Sequence, residues 1–213
     1  MFRILLVDDH ELFRSGLASV LGESSDMVVM GHASSGEEAL DFVRKTAPDL
    51  VLMDINMPGI GGIEATRKIM QHAPDMKIIA VTALSDDPFP NQLLDAGARG
   101  YISKGCPADE LFDAIRTVMA GNHFISGDVA QKLAIGQVMG QGGGSPLKKL
   151  SAREMQVMVM IVSGQSTQEI SDALFLSPKT VSTYRHRLYE KLDVSNDVEL
   201  THFAIRYKVV DQN

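Results

Sequence analysis

The feature that most constrains the fold is an unbroken apolar run that ends in an acidic residue and a glycine-rich turn, at residues 50–62. Residues 50–53 are apolar in succession, which is typical of a parallel-sheet strand covered on both faces. Pro58 and the glycines after it end the strand. Asp54 is therefore predicted to lie at its carboxyl end, where open α/β sheets bind ligands, although on this stretch alone a turn or helix-capping role is the more common one for such an aspartate.

Short apolar runs alternate with helical patterns over the first 120 residues. The predicted strands span residues 3–7, 27–33, 50–54, 77–82 and 100–103, and apolar residues at helical spacing follow each of them. Such alternation indicates βαβ units with right-handed crossovers. We predict a doubly wound, flavodoxin-like α/β domain with a five-stranded parallel sheet over residues 1–120.

The pattern stops near Gly121, and residues 121–146 are interpreted as an interdomain linker. They contain one plausible helix, at residues 128–139, followed by three glycines at 142–144 that favour no single backbone path.

From residue 147 onwards the sequence indicates helices only. Ser151 and Ser166 each precede a glutamate by three residues, which is the pattern of a capping box. Ser177 and Pro178 suit the N-cap and first position of a longer, basic helix that ends near Leu192. With a fourth helix from about residue 197, we predict an all-α, four-helix helix-turn-helix domain over residues 147–213.

The charge differs between the two parts of the chain. The overall net charge of −7 would by itself argue against nucleic acid. Residues 1–146, however, carry 11 Lys or Arg against 19 Asp or Glu, a net −8, while residues 147–213 carry 9 against 8, a net +1. Two domains with different partners are consistent with this division.

Membrane and secretory segments are not expected in this sequence. No apolar stretch approaches the roughly 18 residues of a membrane span, and the first apolar run is too short for a signal peptide. The single cysteine, Cys106, cannot form an internal disulfide. We expect a soluble cytoplasmic protein without a membrane partner.

Polar residues follow several predicted strands at one edge of the sheet. Asp8 and Asp9 follow the first strand, Asp54 ends the third, Thr82 ends the fourth and Lys104 follows the fifth. If strands one and three are neighbours, three carboxylates meet there and need a cation. Oxygen ligands at such a rim favour Mg²⁺.

These groups suit phosphoryl transfer to a carboxylate. Asp54 can attack phosphorus and form an acyl phosphate, while Mg²⁺ and the Lys104 ammonium neutralise charge. Thr82 offers a hydroxyl donor to a phosphoryl oxygen. Tyr101 is either an aromatic partner for a local rearrangement or a core side chain.

In this order, the motifs resemble the receiver domain of two-component response regulators. The matching segments are Val-Asp-Asp-His, Leu-Met-Asp-Ile-Asn-Met-Pro-Gly, Val-Thr-Ala and Gly-Tyr-Ile-Ser-Lys. The resemblance implies that Asp54 accepts phosphate from a sensor histidine kinase. It implies Mg²⁺ ligation by Asp9, Asp54 and the Asn56 backbone carbonyl, with Asp8 assisting through water. It further implies the roles of switch pair and phosphate contact for Thr82, Tyr101 and Lys104.

The third C-terminal helix has one buried stripe and one polar face. At about 100° per residue, Val181, Leu188 and Leu192 share the buried stripe. The predicted DNA contacts are Lys179, Thr180, Ser182, Thr183, His186 and Arg187. Such a face can enter a major groove, while Tyr184 and Arg185 at the edges of the stripe are expected to pack or contact phosphate.

The C-terminal part resembles the LuxR-type DNA-binding domain of the NarL/FixJ class, through Leu-Ser-Ala-Arg-Glu, Gln-Glu-Ile, Leu-Ser-Pro-Lys-Thr-Val and Glu-Lys-Leu. Within that class the chain resembles the GacA/UvrY regulators, which implies a hybrid sensor kinase as partner. The resemblance implies a transcription regulator. We expect phosphorylation to shift it from a form with a hidden recognition helix to a DNA-binding homodimer.

Two other functions remain open. A phosphate-ester hydrolase could use Asp54 as nucleophile, but it needs a second acid or base and leaves the helical domain without a role. Residues 31–36 have P-loop glycine spacing, but Glu37 stands where lysine is required. The third possibility is a DNA-binding protein whose first domain only dimerises and does not respond to phosphate.

Overall fold

The computed structural model describes residues 1–82, 90–127, 129–131, 146–207 and 209–210, with side chains omitted at 90, 91, 148 and 152. The described residues divide into two compact units, one up to Ala130 and one from Gln131 onwards. The predicted helix at residues 128–139 lies for the most part outside the described residues.

The N-terminal unit alternates strands and helices as predicted. Its strands are β1 (Phe2–Val7), β2 (Met27–Ala33), β3 (Leu50–Asp54), β4 (Lys77–Thr82), β5 (Gly100–Ser103) and β6 (Phe124–Ile125). Its helices are α1 (Glu11–Gly22), α2 (Gly36–Thr46), α3 (Gly61–His72), α4 (Pro90–Ala96) and α5 (Ala108–Met119).

All strands of this sheet run parallel, in the order β2-β1-β3-β4-β5-β6. The expectation of five strands was wrong by one, because β6 pairs with β5 at Gly100 and Tyr101. β6 lies within the segment interpreted as linker, and a two-residue strand is too short to show an apolar run. The sheet therefore extends past residue 120.

Alternate residues of each central strand enter two separate cores. Ile4, Leu6 and Leu52 face the core that α1 and α5 complete, whereas Leu5 and Val51 face the core of α2 and α3. Every residue of β3 is buried, as the unbroken apolar run predicts. Each such aliphatic side chain stabilises the fold by about 1.5–3 kcal/mol.

The C-terminal unit consists of a 3₁₀ turn and four helices among the described residues. The turn spans Pro146–Lys149, and the helices are α6 (Ala152–Val162), α7 (Thr167–Leu174), α8 (Pro178–Leu192) and α9 (Asp197–Arg206). Both predicted capping boxes form, and the Ser177 side chain caps α8. Val181, Leu188 and Leu192 are buried, as the angular argument predicts.

Glu154 joins the start of α6 to the end of α8. Its carboxylate accepts from Ser151 N at 2.7 Å and lies 2.7 Å from Lys191 Nζ, while only 4% of the side chain is exposed. Lys191 Nζ also donates to the Lys149 carbonyl at 3.0 Å. Burial raises the pKa of Glu154, but the bonds from Lys191 and Ser151 outweigh burial and hold it below its usual 4.5.

We expect Glu154→Ala to lower the unfolding free energy of the C-terminal unit by about 2 kcal/mol, because it breaks a capping box and a largely buried ion pair whose lysine still reaches water. Glu169→Ala is the matched control: Glu169 completes the same kind of capping box but is solvent-exposed. Amide hydrogen exchange across α6 and α8 in the full chain measures both changes, and equal destabilisation by the two variants would show that the Lys191 pair adds nothing.

The stabilisation by Glu154 should also depend on pH in a defined direction. Because its pKa is lowered on folding, the advantage over Glu154→Gln is present above the usual 4.5 and is lost as the pH falls through the lower folded value. Denaturant unfolding of both proteins from neutral to acidic pH measures it. A constant difference below pH 4.5 would contradict the assignment.

Candidate functional site

The sheet order brings three of the predicted acidic residues to one rim. β1 and β3 are neighbours, with Val7 opposite Met53, so Asp8 emerges beside Asp54. Asp8 and Asp54 are 3% and 2% exposed, whereas Asp9 lies at the surface. The carboxylates predicted to lie at matching strand ends are therefore together.

Lys104 provides the positive charge of this rim. Its Nζ lies 2.6 Å from Asp8 Oδ2 and 3.0 Å from Asp54 Oδ2, and it sits over the Phe13 ring at 4.7 Å from the centroid. Burial lowers the pKa of Lys104, but its contacts with Asp8 and Asp54 outweigh that effect and raise the pKa. The ammonium group is therefore charged at neutral pH.

Asp54 is held by contacts at both carboxylate oxygens. Oδ1 accepts from Ile55 N at 2.8 Å, and Oδ2 faces Lys104. Burial is the main cause that raises the pKa of Asp54 above 3.8; attraction to Lys104 opposes the rise, and the charge of Asp8 adds to it. A buried, oriented carboxylate with a lysine beside it is suited to attack an electrophilic centre.

The donor set at the rim suits a hard cation. Ligand atoms from Asp8, Asp9, His10 and Asp54 all lie within 4.8 Å of one another. His10 Nδ1 lies 2.9 Å from Asp9 Oδ1 and 3.3 Å from Asp8 Oδ1, so its ring already faces the carboxylates. Carboxylate oxygens are the ligands that Mg²⁺ prefers, and the residues present therefore fit this ion.

The loop after β3 carries Asn56, which is predicted to act through its backbone carbonyl. The Asn56 side chain is exposed, two residues beyond Asp54. At the far end of the loop Gly62 N donates to Ile55 O at 3.0 Å, and a Cβ on Gly62 would meet the Asp54 carbonyl oxygen at 1.9 Å. Only glycine permits this approach of α3 to the strand end.

Thr82 and Tyr101 lie on the strands next to Asp54. Asp54 is opposite Val81, so Thr82 follows one residue further along the same rim, and Lys104 N donates to the Thr82 carbonyl at 2.6 Å. Thr82 is fully buried and Tyr101 is 2% exposed. The Tyr101 ring thus occupies the interior in this structure, as its core-packing alternative requires.

The residues predicted to contact DNA divide into exposed and partly covered positions on α8. Lys179, Ser182, Thr183, His186 and Arg187 are exposed, whereas Thr180 is half-buried. Thr180 N donates to Ser177 Oγ at 3.1 Å, and the two hydroxyls lie 2.8 Å apart. Thr180 thus lies in the first turn of α8 and takes part in capping its N-terminus.

The two residues expected at the edges of the buried stripe, Tyr184 and Arg185, are both half-buried. Arg185 Nη1 lies 3.4 Å from Asp197 Oδ2, and Tyr189 OH donates to Asp197 Oδ1 at 2.6 Å. Asp197 thereby ties α8 to the start of α9. Arg185 packs against this acidic partner, one of the two alternatives that its position allowed.

Three residues near the rim were not singled out for the site by the sequence. Phe13 supplies an aromatic face to Lys104, His10 N donates to Asp8 Oδ1 at 2.8 Å, and Arg14 Nη1 donates to the Asp8 carbonyl. His10, Phe13 and Arg14 closely follow the Asp8–Asp9 pair in sequence. Their position next to the first acidic motif is the signal that could have identified them.

None of the helices in the described part of the chain combines the length and the apolar character that a membrane span requires.

Comparison with protein families assigns both parts of the chain. Residues 4–116 match the response regulator receiver domain, and residues 148–204 match the bacterial regulatory proteins of the luxR family. The response regulator GacA of Pseudomonas viridiflava is 51% identical over 211 residues, covering 99% of each chain. The response regulator UvrY of Escherichia coli K12 is 49% identical over 207 residues, covering 97% of this chain and 95% of UvrY.

A solved structure supports the same assignment. A LuxR-family two-component response regulator from Aurantimonas superposes with a TM-score of 0.63 at 38% identity, over 65% of this chain and 99% of that one. Both domain matches, the whole-length relatives and the acidic rim agree. The chain belongs to the two-component response regulators, and it regulates transcription through a LuxR-type DNA-binding domain under the control of phosphorylation.

Proposed function

We propose that Asp54 is the phosphoacceptor of this response regulator, with Asp9, Asp54 and the Asn56 carbonyl as ligands of Mg²⁺ and Asp8 assisting through water. The observation that carries this proposal is the buried Asp54 carboxylate, 3.0 Å from Lys104 and beside Asp8. We infer that a sensor histidine kinase, of the hybrid type that resemblance to the GacA/UvrY regulators implies, supplies the phosphoryl group.

In the proposed step, one Asp54 oxygen forms a bond to phosphorus while the bond from phosphorus to the donor nitrogen breaks. Lys104 stays charged and pairs with a phosphoryl oxygen, since its contact with Asp54 places the ammonium beside the acceptor. Bound Mg²⁺ supplies further neutralisation of the phosphoryl charge. The Thr82 hydroxyl then donates to a phosphoryl oxygen, and Tyr101 responds as its switch partner.

The first test is covalent labelling of the purified full chain with acetyl phosphate and Mg²⁺, followed by intact mass spectrometry. Wild type is expected to gain one phosphoryl group and Asp54→Asn none, because the neutral amide is too weak a nucleophile to attack phosphorus. Asp75→Asn is the matched control, since Asp75 is an exposed aspartate outside the acidic rim. A chelator should abolish labelling, and added Mg²⁺ should restore it.

Two other outcomes separate the rival functions. Continuous phosphate release over many turnovers would support the phosphate-ester hydrolase. A chain that takes up no phosphoryl group with a competent donor would support a first domain that only dimerises. Membership of the response regulators favours the phosphoacceptor over both.

We further propose that α8 is the recognition helix and that Lys179, Thr180, Ser182, Thr183, His186 and Arg187 form its DNA-facing surface. The packing of Val181, Leu188 and Leu192 leaves the opposite face of α8 in solvent. Cations there suit phosphates, and hydroxyl and imidazole groups suit base edges in a major groove.

Removal of one cation from this surface should weaken DNA binding in a salt-dependent way. For Lys179→Ala and Arg187→Ala we expect lower affinity for a mixed-sequence duplex of about 30 base pairs, with the log–log salt slope reduced by about 0.9 for each phosphate that the variant no longer neutralises. Fluorescence anisotropy over a range of salt concentrations measures both quantities. Lys45→Ala removes an exposed cation from α2 and is the control; an equal decrease in affinity for all three variants would contradict the proposed surface.

Phosphorylation should couple the two domains by a population shift towards a DNA-binding homodimer. The phosphorylated chain is expected to sediment as a dimer and to bind DNA more tightly than the unphosphorylated chain, while Asp54→Asn responds to the donor in neither measurement. Sedimentation velocity and anisotropy on the same samples test this. Unchanged mass and affinity in a fully phosphorylated sample would refute the coupling.

A further inference from the structure

Glu37 links the first turn of α2 to the loop that follows Asp54. Its Oε1 accepts a hydrogen bond from Ile60 N at 3.0 Å, across 23 residues of sequence. Ile60 is the N-cap residue of α3, so this bond fixes the point where the loop enters the helix. Glu37 is the residue that stands at the P-loop lysine position, and neither the proposed ligand set nor the proposed switch pair includes it.

Two glycines make this close approach possible. Gly59 has a φ of 76°, and a Cβ there would lie 2.5 Å from Glu37 Oε2. A Cβ on Gly36 would lie 2.7 Å from the Ile60 side chain. The Glu37 carboxylate therefore lies against the backbone of Gly59, and the absent Gly36 side chain leaves room for that of Ile60.

Two contacts hold the loop. Gly62 N donates to Ile55 O, which joins the two ends of the loop, and the missing Gly62 side chain lets α3 approach the Asp54 carbonyl. Glu37 holds Ile60 within the loop, shortly before α3 begins. Asn56, whose backbone carbonyl is a proposed ligand of Mg²⁺, lies between Ile55 and Ile60.

The neighbouring Glu38 has a different task. Its Oε2 accepts from Ser34 N at 2.7 Å and from Ser34 Oγ at 2.9 Å, which caps α2 within its own segment. Of these two adjacent glutamates, Glu38 caps its own helix and Glu37 contacts the distant loop. Glu38 is consequently a matched control for Glu37.

We propose that Glu37 is a positioning residue that sets the conformation of residues 55–60 and thereby directs the Asn56 carbonyl towards the acidic rim. The consequence at Asn56 rests on the proposed function, whereas the attachment of Ile60 does not. Glu37 acts through the loop and touches no reacting atom.

The direct test is hydrogen exchange of the Ile60 amide, followed by NMR in the metal-free full chain. Glu37→Ala is expected to speed this exchange by about tenfold, because the amide loses its acceptor. Glu37→Gln keeps a side-chain oxygen acceptor and should stay near the wild-type rate. Glu38→Ala should leave the Ile60 amide unchanged.

The second measurement is the rate of phosphorylation by acetyl phosphate as a function of Mg²⁺ concentration. Glu37→Ala is expected to raise the half-saturating Mg²⁺ concentration about threefold or more, with a smaller change in the rate at saturation, since a ligand is misplaced while the nucleophile is kept. Glu37→Gln should recover the wild-type Mg²⁺ dependence. A general loss of folding would not raise the half-saturating Mg²⁺ concentration while leaving the rate at saturation nearly unchanged.

The two measurements fail separately. If Ile60 exchanges equally fast in wild type and Glu37→Ala, or if Glu37→Gln behaves like Glu37→Ala, the positioning role of this bond is overturned. If the Ile60 amide responds as expected but wild type takes up no phosphoryl group, the proposed function fails and the attachment of the loop by Glu37 stands.

Discussion

The receiver unit depends on one ammonium group placed between two buried carboxylates. Asp8 and Asp54 each lose most of their hydration on folding, at a cost of several kcal/mol for an ion without a partner. Lys104 offsets this cost from the end of β5, which is two strands away from β3 in the sheet. The Phe13 ring and the backbone bond from Lys104 to Thr82 hold the lysine in this direction. The three carboxylates outnumber the cationic groups of Lys104 and Arg14, so the rim stays acidic and attracts a further cation.

The sequence was sufficient to predict this arrangement because it depends on local signals and one topological rule. Apolar runs defined the strands, and the residue after each run identified the group at the rim. The only non-local assumption was that β1 and β3 are neighbours, and the strand order confirms it. The helices of the C-terminal unit are equally predictable from sequence, since the serine caps lie within three residues of their partners and the buried residues of α8 recur at helical spacing.

What the sequence could not predict are contacts that connect distant segments through backbone atoms. β6 contributes two residues to the sheet, too few for a periodic pattern, so a sixth strand is not predictable from apolar runs. Glu37 accepts a hydrogen bond from a main-chain amide 23 residues away, and no side-chain pattern in the sequence predicts such a bond. The Lys191 partner of Glu154 was missed for a related reason, because a capping box already accounted for that glutamate.

The hydroxyl groups of Ser182 and Thr183 are bonded within α8, which limits the hydrogen bonds that they could offer to a DNA base. Ser182 Oγ donates to the Pro178 carbonyl at 3.0 Å, and Thr183 Oγ1 donates to the Lys179 carbonyl at 2.9 Å. A hydroxyl whose hydrogen is committed to its own helix offers a partner only lone pairs. In a major groove, lone pairs match the exocyclic amino groups of adenine and cytosine rather than the keto oxygens of guanine and thymine. If α8 is the proposed recognition helix, Ser182 and Thr183 would therefore favour amino-bearing bases over keto-bearing ones.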